Sequence, residues 1–285
     1  MIFVLVHSKF NTRIYSIFMK IIEENSFKIN QIEQDEFNRT SAVLAIYKPK
    51  DWTSHDIVNQ VRKKLRTRKV GHAGALDPFA TGVLIVLVGN YTKSSDLFLN
   101  TGKEYRCKVL FGVSTNTQDP EGKILKVANK VTNVEIDKPM LEKVLQTFRK
   151  GYMQRVPVFS SVKVNGQKLR VIARQAESFE VEEHDNVKFM FKNGKERVIK
   201  LPRKKVEFRR LELVKLEKVE IKDLPESLMS AELIVGCSKG TYIRQLAEDI
   251  GAAFGLPAML TELERTKVGE IGLDDCISIE ELTQL

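Results

Sequence analysis

Two short uninterrupted apolar runs, residues 42–47 and 83–88, constrain the fold of this chain most. The first ends at Lys48-Pro49, and both read as buried strands. Between them, Thr53 or Ser54 caps a helix whose apolar face is Ile57, Val58, Val61 and Leu65, at helical spacing. Residues 104–111 alternate strictly, with Tyr105, Cys107, Val109 and Phe111 on one side and Glu104, Arg106 and Lys108 on the other, as in a half-buried strand. Met140, Leu141, Val144, Leu145 and Phe148 mark a second amphipathic helix, and residues 206–221 and 231–237 read as further strands. Ile243, Leu246, Ala247 and Ile250 mark a helix that starts near Thr241. Strands and helices follow one another with no regular βαβ period, which predicts an α+β domain around a mixed sheet. Residues 187–191 and 197–201 flank Asn193-Gly194, the favoured turn of a two-stranded hairpin, and this hairpin reads as an appended piece.

The charge balance narrows the partner. Lysine plus arginine outnumber aspartate plus glutamate by 46 to 37, a formal charge of +9, so the surface attracts polyanions, of which nucleic acid is the commonest. Six cations, Arg62, Lys63, Lys64, Arg66, Arg68 and Lys69, fall within eight residues at the end of the first helix. A solvated helix face mixes signs and this one does not, which favours a phosphate-facing patch. Cys107, Cys237 and Cys276 are far apart and odd in number, and the four histidines are scattered, so neither a disulfide framework nor a metal site is expected. The chain has no apolar run of the ~18 residues that a transmembrane helix needs. The apolar start of the chain is broken by Lys9, Arg13 and Lys20 and lacks the form of a signal peptide. A cytoplasmic location is expected.

Chemistry points to two segments. Residues 71–82 carry Gly71, Gly74 and Gly82, which allow sharp turns and close approach to a ligand, and Pro78 disfavours helical geometry at Asp77. Asp-Pro among glycines is also an ordinary turn, and local physics alone favours that reading. In residues 238–244, Gly240 permits a turn and Thr241 can cap the helix that follows, leaving Arg244 in the first helical turn. The helix dipole disfavours a cation there, so a carboxylate or phosphate beside Arg244 would offset an unfavourable position; an arginine bent into water is the alternative.

The residues G-H-A-G-A-L-D-P-F-A-T-G at 71–82 resemble the G-H-x-G-x-L-D-P-x-A-T-G signature of the TruB family of tRNA pseudouridine-55 synthases. Four further blocks resemble that family in the expected order. They are Lys48-Pro49 through Thr53-Ser54; Lys103-Glu104-Tyr105; Ser160-Ser161-Val162-Lys163 with Gly166 and Ala173-Arg174; and residues 237–244 followed by Leu260-Thr261 and Leu263. The resemblance runs over residues 42–272.

It implies a pseudouridine synthase fold, a mostly antiparallel mixed sheet with flanking helices and loops, and an isomerase that needs no cofactor and no metal. Asp77 would be the catalytic aspartate, Tyr105 the residue stacked on the target base, and Arg244 the partner of Asp77. Tyr242 and Leu263 would line the base pocket, and His72 would wedge where the flipped nucleotide leaves. Lys63, Lys64 and Arg66 would meet phosphates of the tRNA T-arm stem-loop. No obligate protein partner is expected, and the enzyme would act as a monomer. The chain departs from the family pattern at Asp51, Ser114, Asn116, Val158, Phe159, Arg170 and Glu264, none of which belongs to the set of Asp77, Tyr105 and Arg244. The expected organisation is an N-terminal extension over 1–40, a catalytic domain over 41–275 with the inserted hairpin at 187–201, and a tail over 276–285, with no separate C-terminal RNA-binding domain.

Overall fold

The structure, a computed structural model, describes residues 28–36, 39–128, 136–221 and 227–283. Its main sheet has nine strands among the described residues. In chain order they are β1 (Ile32–Gln34), β2 (Thr40–Lys48), β3 (Val70–His72), β4 (Thr81–Val88), β5 (Lys103–Phe111), β6 (Phe208–Val219), β7 (Leu228–Cys237), β8 (Ala258–Val268) and β9 (Ile271–Gly272). The helices that matter to the site are α1 (Ser54–Lys64), α2 (Ser95–Leu99), α3 (Lys138–Arg149), α4 (Leu169–Gln175) and α5 (Ile243–Ala253).

The two apolar runs pair with each other. β2 lies antiparallel to β4 with Ala45 opposite Ile85, and alternate residues feed cores on the two faces of the sheet. Leu44, Ile46, Leu84 and Val86 meet Ile57, Val58 and Val61 of α1 on one face; Val43, Ala45, Ile85 and Leu87 meet Phe98 of α2 on the other. That double burial is why these strands read as continuous apolar runs rather than as alternation. Helix α1 starts at a capping box, in which the Asp56 amide donates to the Thr53 hydroxyl and the Thr53 amide to the Asp56 carboxylate.

The second half of the sheet is the run β8-β5-β7-β6, antiparallel throughout. Its covered face joins Cys107, Val109, Phe111, Leu233 and Val235 to Leu141 and Leu145 of α3 and to Ile243, Leu246 and Ile250 of α5. On the other face the charges of β5 find cross-strand partners, Arg106 with Glu232 and Lys108 with Glu262. The two halves meet where β4 and β8 run parallel, Thr81 beside Glu264 and Gly82 beside Arg265. The approach is so close that a Cβ on Gly82, whose φ is +102°, would lie 2.3 Å from the Arg265 carbonyl oxygen. The expected α+β class with a mixed, mostly antiparallel sheet therefore holds. Among the described residues no helix is long and apolar enough to cross a membrane.

Three expectations change. The hairpin is not an appended piece. Its strands, Asn186–Met190 and Glu196–Lys200, are joined by a third, Ser178–Val181, into a small sheet. Val187, Phe189, Ile199 and Leu201 are almost fully buried against Val156, Val158, Leu169, Ile172 and Ala173, with Tyr242 packed on the edge of that core. Residues on both sides of the expected domain also belong to its packing. β1 pairs with β2, Ile277 bridges to Ile46, and Leu282 is buried against α1, because the edge of β2 and the flank of α1 would otherwise be left open. Finally, Thr241 does not cap α5: its hydroxyl donates to the Ser238 carbonyl, and Tyr242 occupies the N-cap without a side-chain bond. Residues 1–27 of the expected N-terminal extension lie outside the described residues.

Candidate active site

The loop between β3 and β4 ends at the seam between the two half-sheets, and its backbone is pinned on both sides of Asp77. Before Asp77, the Ser54 hydroxyl accepts from the Leu76 amide at 2.8 Å and donates to the Leu76 carbonyl at 3.3 Å, while the Arg265 guanidinium donates to Gly74 O at 3.0 Å and Ala75 O at 3.5 Å. After it, Pro78 O accepts from Lys48 Nζ at 3.0 Å and from the Asp51 amide at 2.9 Å. Asp77 itself opens a turn, with the Ala80 amide donating to Asp77 O at 3.1 Å, and Pro78 suits the second position of that turn. Leu76 and Phe79 point into the core, while the Asp77 side chain stays 39% exposed. The turn thus leaves the Asp77 carboxylate accessible.

Asp77 meets Arg244 through two donors of one guanidinium. Arg244 Nε donates to Oδ2 at 2.8 Å and NH2 to Oδ1 at 3.3 Å. NH1 donates to Thr117 O at 2.6 Å and NH2 also to Phe159 O at 3.1 Å, so four hydrogen bonds hold the guanidinium of this 5% exposed side chain. A second carboxylate stands behind it. Asp119 Oδ2 is 3.7 Å from Arg244 Nε, and Asp119 also accepts from Thr117 Oγ1 and the Glu121 amide. Burial raises the Asp119 carboxyl above its ordinary value, against the opposing hydrogen bond from Thr117 and the charge of Arg244. Two carboxylates around a cation in the first turn of α5 resolve the unfavourable dipole position that the sequence posed.

The other expected residues take the following places. Tyr105 lies on β5 opposite Arg265 on β8. Burial raises its phenol above the ordinary value and the Asp77 charge adds to this, with Arg265 opposing, so Tyr105 rests neutral. Leu263 is 7% exposed, opposite Cys107, in the same cluster as Leu76 and Phe79. Tyr242 is half-buried at the start of α5, and burial raises its phenol too, with Arg244 opposing and Asp77 adding. His72 ends β3; its Nδ1 is buried with no hydrogen-bond partner, and burial, then Arg265 and His55, lower its value, which favours a neutral ring. Lys63, Lys64 and Arg66 are exposed at the far end of α1, about 15 Å of helix from Ser54. Arg62 leaves the patch: it donates to Asn59 and to Val70 O and holds β3 in place.

Sequence reasoning missed four residues of this construction. Arg265 is 1% and Lys48 0% exposed, and each serves backbone carbonyls of the loop over residues 71–82 or its neighbours. Asp119 and Thr117 complete the surroundings of Arg244. For Lys48 the signal was its place at the end of a buried strand; for the others no local pattern marks burial. At Asp51, where the resembling family has glycine, the backbone does adopt positive φ, +67°, which aspartate tolerates better than most side chains.

Comparison with known proteins gives a consistent result. The profile described as TruB family pseudouridylate synthase (N terminal domain) matches residues 62–190. A Staphylococcus saprophyticus protein named tRNA pseudouridine synthase B is 35% identical over 245 residues, covering 86% of this chain and 72% of that protein. A Staphylococcus aureus protein of the same name matches with equal identity and coverage. Among solved structures, an H/ACA RNP bound to a substrate RNA containing 2'-deoxyuridine has a chain similar to this one at a TM-score of 0.50 and 22% identity, over 90% of this chain and 61% of that one. A Cbf5-Nop10-Gar1 complex has one at 0.51 and 23%, over 90% and 62%. This chain thus spans about three-fifths of those solved chains, and at such identity the likeness speaks for the fold.

Proposed function

The chain belongs to the TruB family of pseudouridylate synthases, and from that premise we propose that it converts a T-loop uridine of tRNA, the uridine at position 55, to pseudouridine. The observation that carries this reading is the Asp77 carboxylate, partly open to solvent on a turn pinned from both sides and gripped by the Arg244 fork. The reaction breaks the N1–C1′ bond of the uridine, turns the uracil, and joins C5 to C1′; the C5 proton is lost and N1 gains one. A carboxylate beside the sugar can start it as nucleophile or base. Arg244 fixes the direction in which the carboxylate points. Tyr105 offers a stacking face for the base and, being neutral, a hydroxyl that can exchange a proton with it.

A T-loop base is stacked, and extruding it costs a few kcal/mol. Stacking on Tyr105, the apolar wall at Leu263, the Tyr242 ring and phosphate contacts from Lys63, Lys64 and Arg66 offset that cost. A neutral His72 at the loop's entrance is suited to fill the gap the base leaves, since it carries no charge into the stack. On this reading the protein acts on tRNA in the cytoplasm as a monomer, without an obligate protein partner. The test is incubation with a T-arm stem-loop carrying [5-³H]uridine. Tritium release together with pseudouridine at that one position supports the reading; tight binding without release would replace it with a non-catalytic RNA-binding function.

A further inference from the structure

The first turn of α5 carries both Tyr242 and Arg244, yet it has no side-chain cap of its own. The missing partner comes from 88 residues away. Gln154, 1% exposed on the strand Tyr152–Arg155, accepts from the Tyr242 amide through Oε1 at 2.8 Å and donates through Nε2 to the Tyr242 carbonyl at 3.0 Å. One amide side chain therefore grips both backbone polar groups of the residue at which the helix begins. The same Nε2 also donates to the Tyr152 hydroxyl at 3.0 Å, and that hydroxyl donates onward to Asp249 Oδ2 at 2.5 Å. With the hydroxyl proton committed to Asp249, only one orientation of the Gln154 amide satisfies all its neighbours.

The network then returns to the site. Gln245 Nε2 donates to Asp249 Oδ1 at 2.8 Å and Glu248 Oε2 at 2.9 Å, and Gln118 Nε2 donates to Gln245 Oε1 at 2.9 Å and to Glu248. Gln118 follows Thr117, whose carbonyl takes the Arg244 NH1 group. Gln118, Gln154 and Gln245 are all buried. The chain of bonds thus runs from Tyr242 through Gln154, Tyr152, Asp249 and Gln245 to Gln118, whose neighbour Thr117 holds the guanidinium of Arg244.

We propose that Gln154 is a positioning residue for pseudouridine formation: by clamping the Tyr242 backbone it sets the orientation in which α5 presents Arg244 to Asp77 and the Tyr242 ring to the base. It touches neither substrate nor reacting atoms, and its effect falls on the chemical step rather than on RNA binding, because the phosphate contacts lie on α1. The inference rests on Asp77 and Arg244 being the machinery of the reaction.

Three variants test it, each in the full chain with the T-arm stem-loop: Gln154→Leu, Gln154→Glu and Tyr152→Phe. Single-turnover rate and RNA affinity are measured separately, and the folded fraction is read by thermal unfolding. For Gln154→Leu the single-turnover rate should fall at least roughly tenfold, since small misplacements of reacting groups carry penalties of that size or more, with affinity unchanged within about threefold. Gln154→Glu keeps the shape but, ionised, sets a second oxygen against the Tyr242 carbonyl; protonated, it offers one donor and one acceptor and restores the clamp. Its rate relative to wild type should therefore recover as pH is lowered from 8 to 6. Tyr152→Phe, which keeps the clamp but frees its back, should give a smaller loss than Gln154→Leu. A wild-type rate in Gln154→Leu, a loss matching only the unfolded fraction, or a Gln154→Glu deficit that does not change with pH would overturn the proposal. If Gln154→Leu does not fold, the pH profile of Gln154→Glu decides alone. Absence of tritium release from the wild type would instead sink the proposed function itself.

Discussion

Arg244 and Asp77, 167 residues apart in the chain, face each other as fork and carboxylate, with Nε 2.8 Å from Oδ2 and NH2 3.3 Å from Oδ1. The geometry uses the planar guanidinium, which also donates to Thr117 O and Phe159 O. Arg244→Lys keeps the charge and loses the fork, because an ammonium is a point charge on a flexible stem. The single-turnover rate should fall at least tenfold, about 1.4 kcal/mol of transition-state stabilisation. A wild-type rate would separate Arg244 from the chemistry.

The small sheet around Phe189 makes a prediction opposite to the one its sequence suggested. Phe189 is fully buried, in contact with Phe179 in a core that also borders Tyr242. Phe189→Ala should cost ~3–5 kcal/mol in chemical denaturation, the usual range for emptying such a site. Replacing residues 186–200 with a Gly-Ser linker should remove folding or activity. A stable, active deletion would return this element to the periphery.

Burial pulls the Lys48 ammonium down to about 8, with the charge of Asp77 opposing that shift. In the unfolded chain the lysine keeps its proton up to about 10.5, so between pH 8 and 10.5 the unfolded state binds more protons than the folded one and stability rises with pH. Below about pH 8 the full cost of the buried charge is present in the folded state. Lys48→Met removes this titration while leaving the cysteines and tyrosines in place. The stability difference between wild type and variant should therefore shift in favour of wild type as pH rises from 8 toward 10.5. A difference that is flat with pH would show that Lys48 is not a buried cation holding Pro78 O.

Lys63, Lys64 and Arg66 form no ion pair among the described residues and stand exposed at the end of α1. Neutralising all three should weaken RNA binding and reduce the slope of log affinity against log salt by up to roughly 2–3, since each phosphate contact contributes about 0.7–0.9. The rate on bound RNA should hardly change. An unaltered slope would mean that this face only meets water.

Much of the scaffold was legible in the chain, and the reason is local. The apolar runs of β2 and β4 and the alternation of β5 report burial directly, and Thr53 with Asp56 reports the start of α1. The Asn193-Gly194 turn was legible too, with Gly194 at φ +74°; what the alternation could not show is that Phe189 and Ile199 face a core supplied by α4 and residues 156–158. The third strand, Ser178–Val181, is short and mostly exposed, and so carries little pattern.

The site was less legible. That Asp77 meets Arg244 came from the resemblance of five ordered blocks, since no spacing rule connects positions so far apart. Lys48, Arg265 and Asp119 escaped notice because charged residues are rarely buried, and their partners are mostly backbone groups that leave no trace in composition. Gln154 was invisible for the same reason: its partners are the amide and carbonyl of Tyr242.

The central claim is that Asp77 performs the chemistry and does not merely build the turn. Asp77→Asn is nearly isosteric; its backbone still accepts from the Ala80 amide, and Lys48, Ser54 and Arg265 still hold the loop. An amide is a very poor nucleophile and base beside a carboxylate. The most direct measurement is tritium release from a [5-³H]uridine T-arm stem-loop, with binding to the same RNA followed in parallel. The result expected is near wild-type affinity, retained folding and no detectable release. Release at a measurable fraction of the wild-type rate from a variant that binds normally would contradict it.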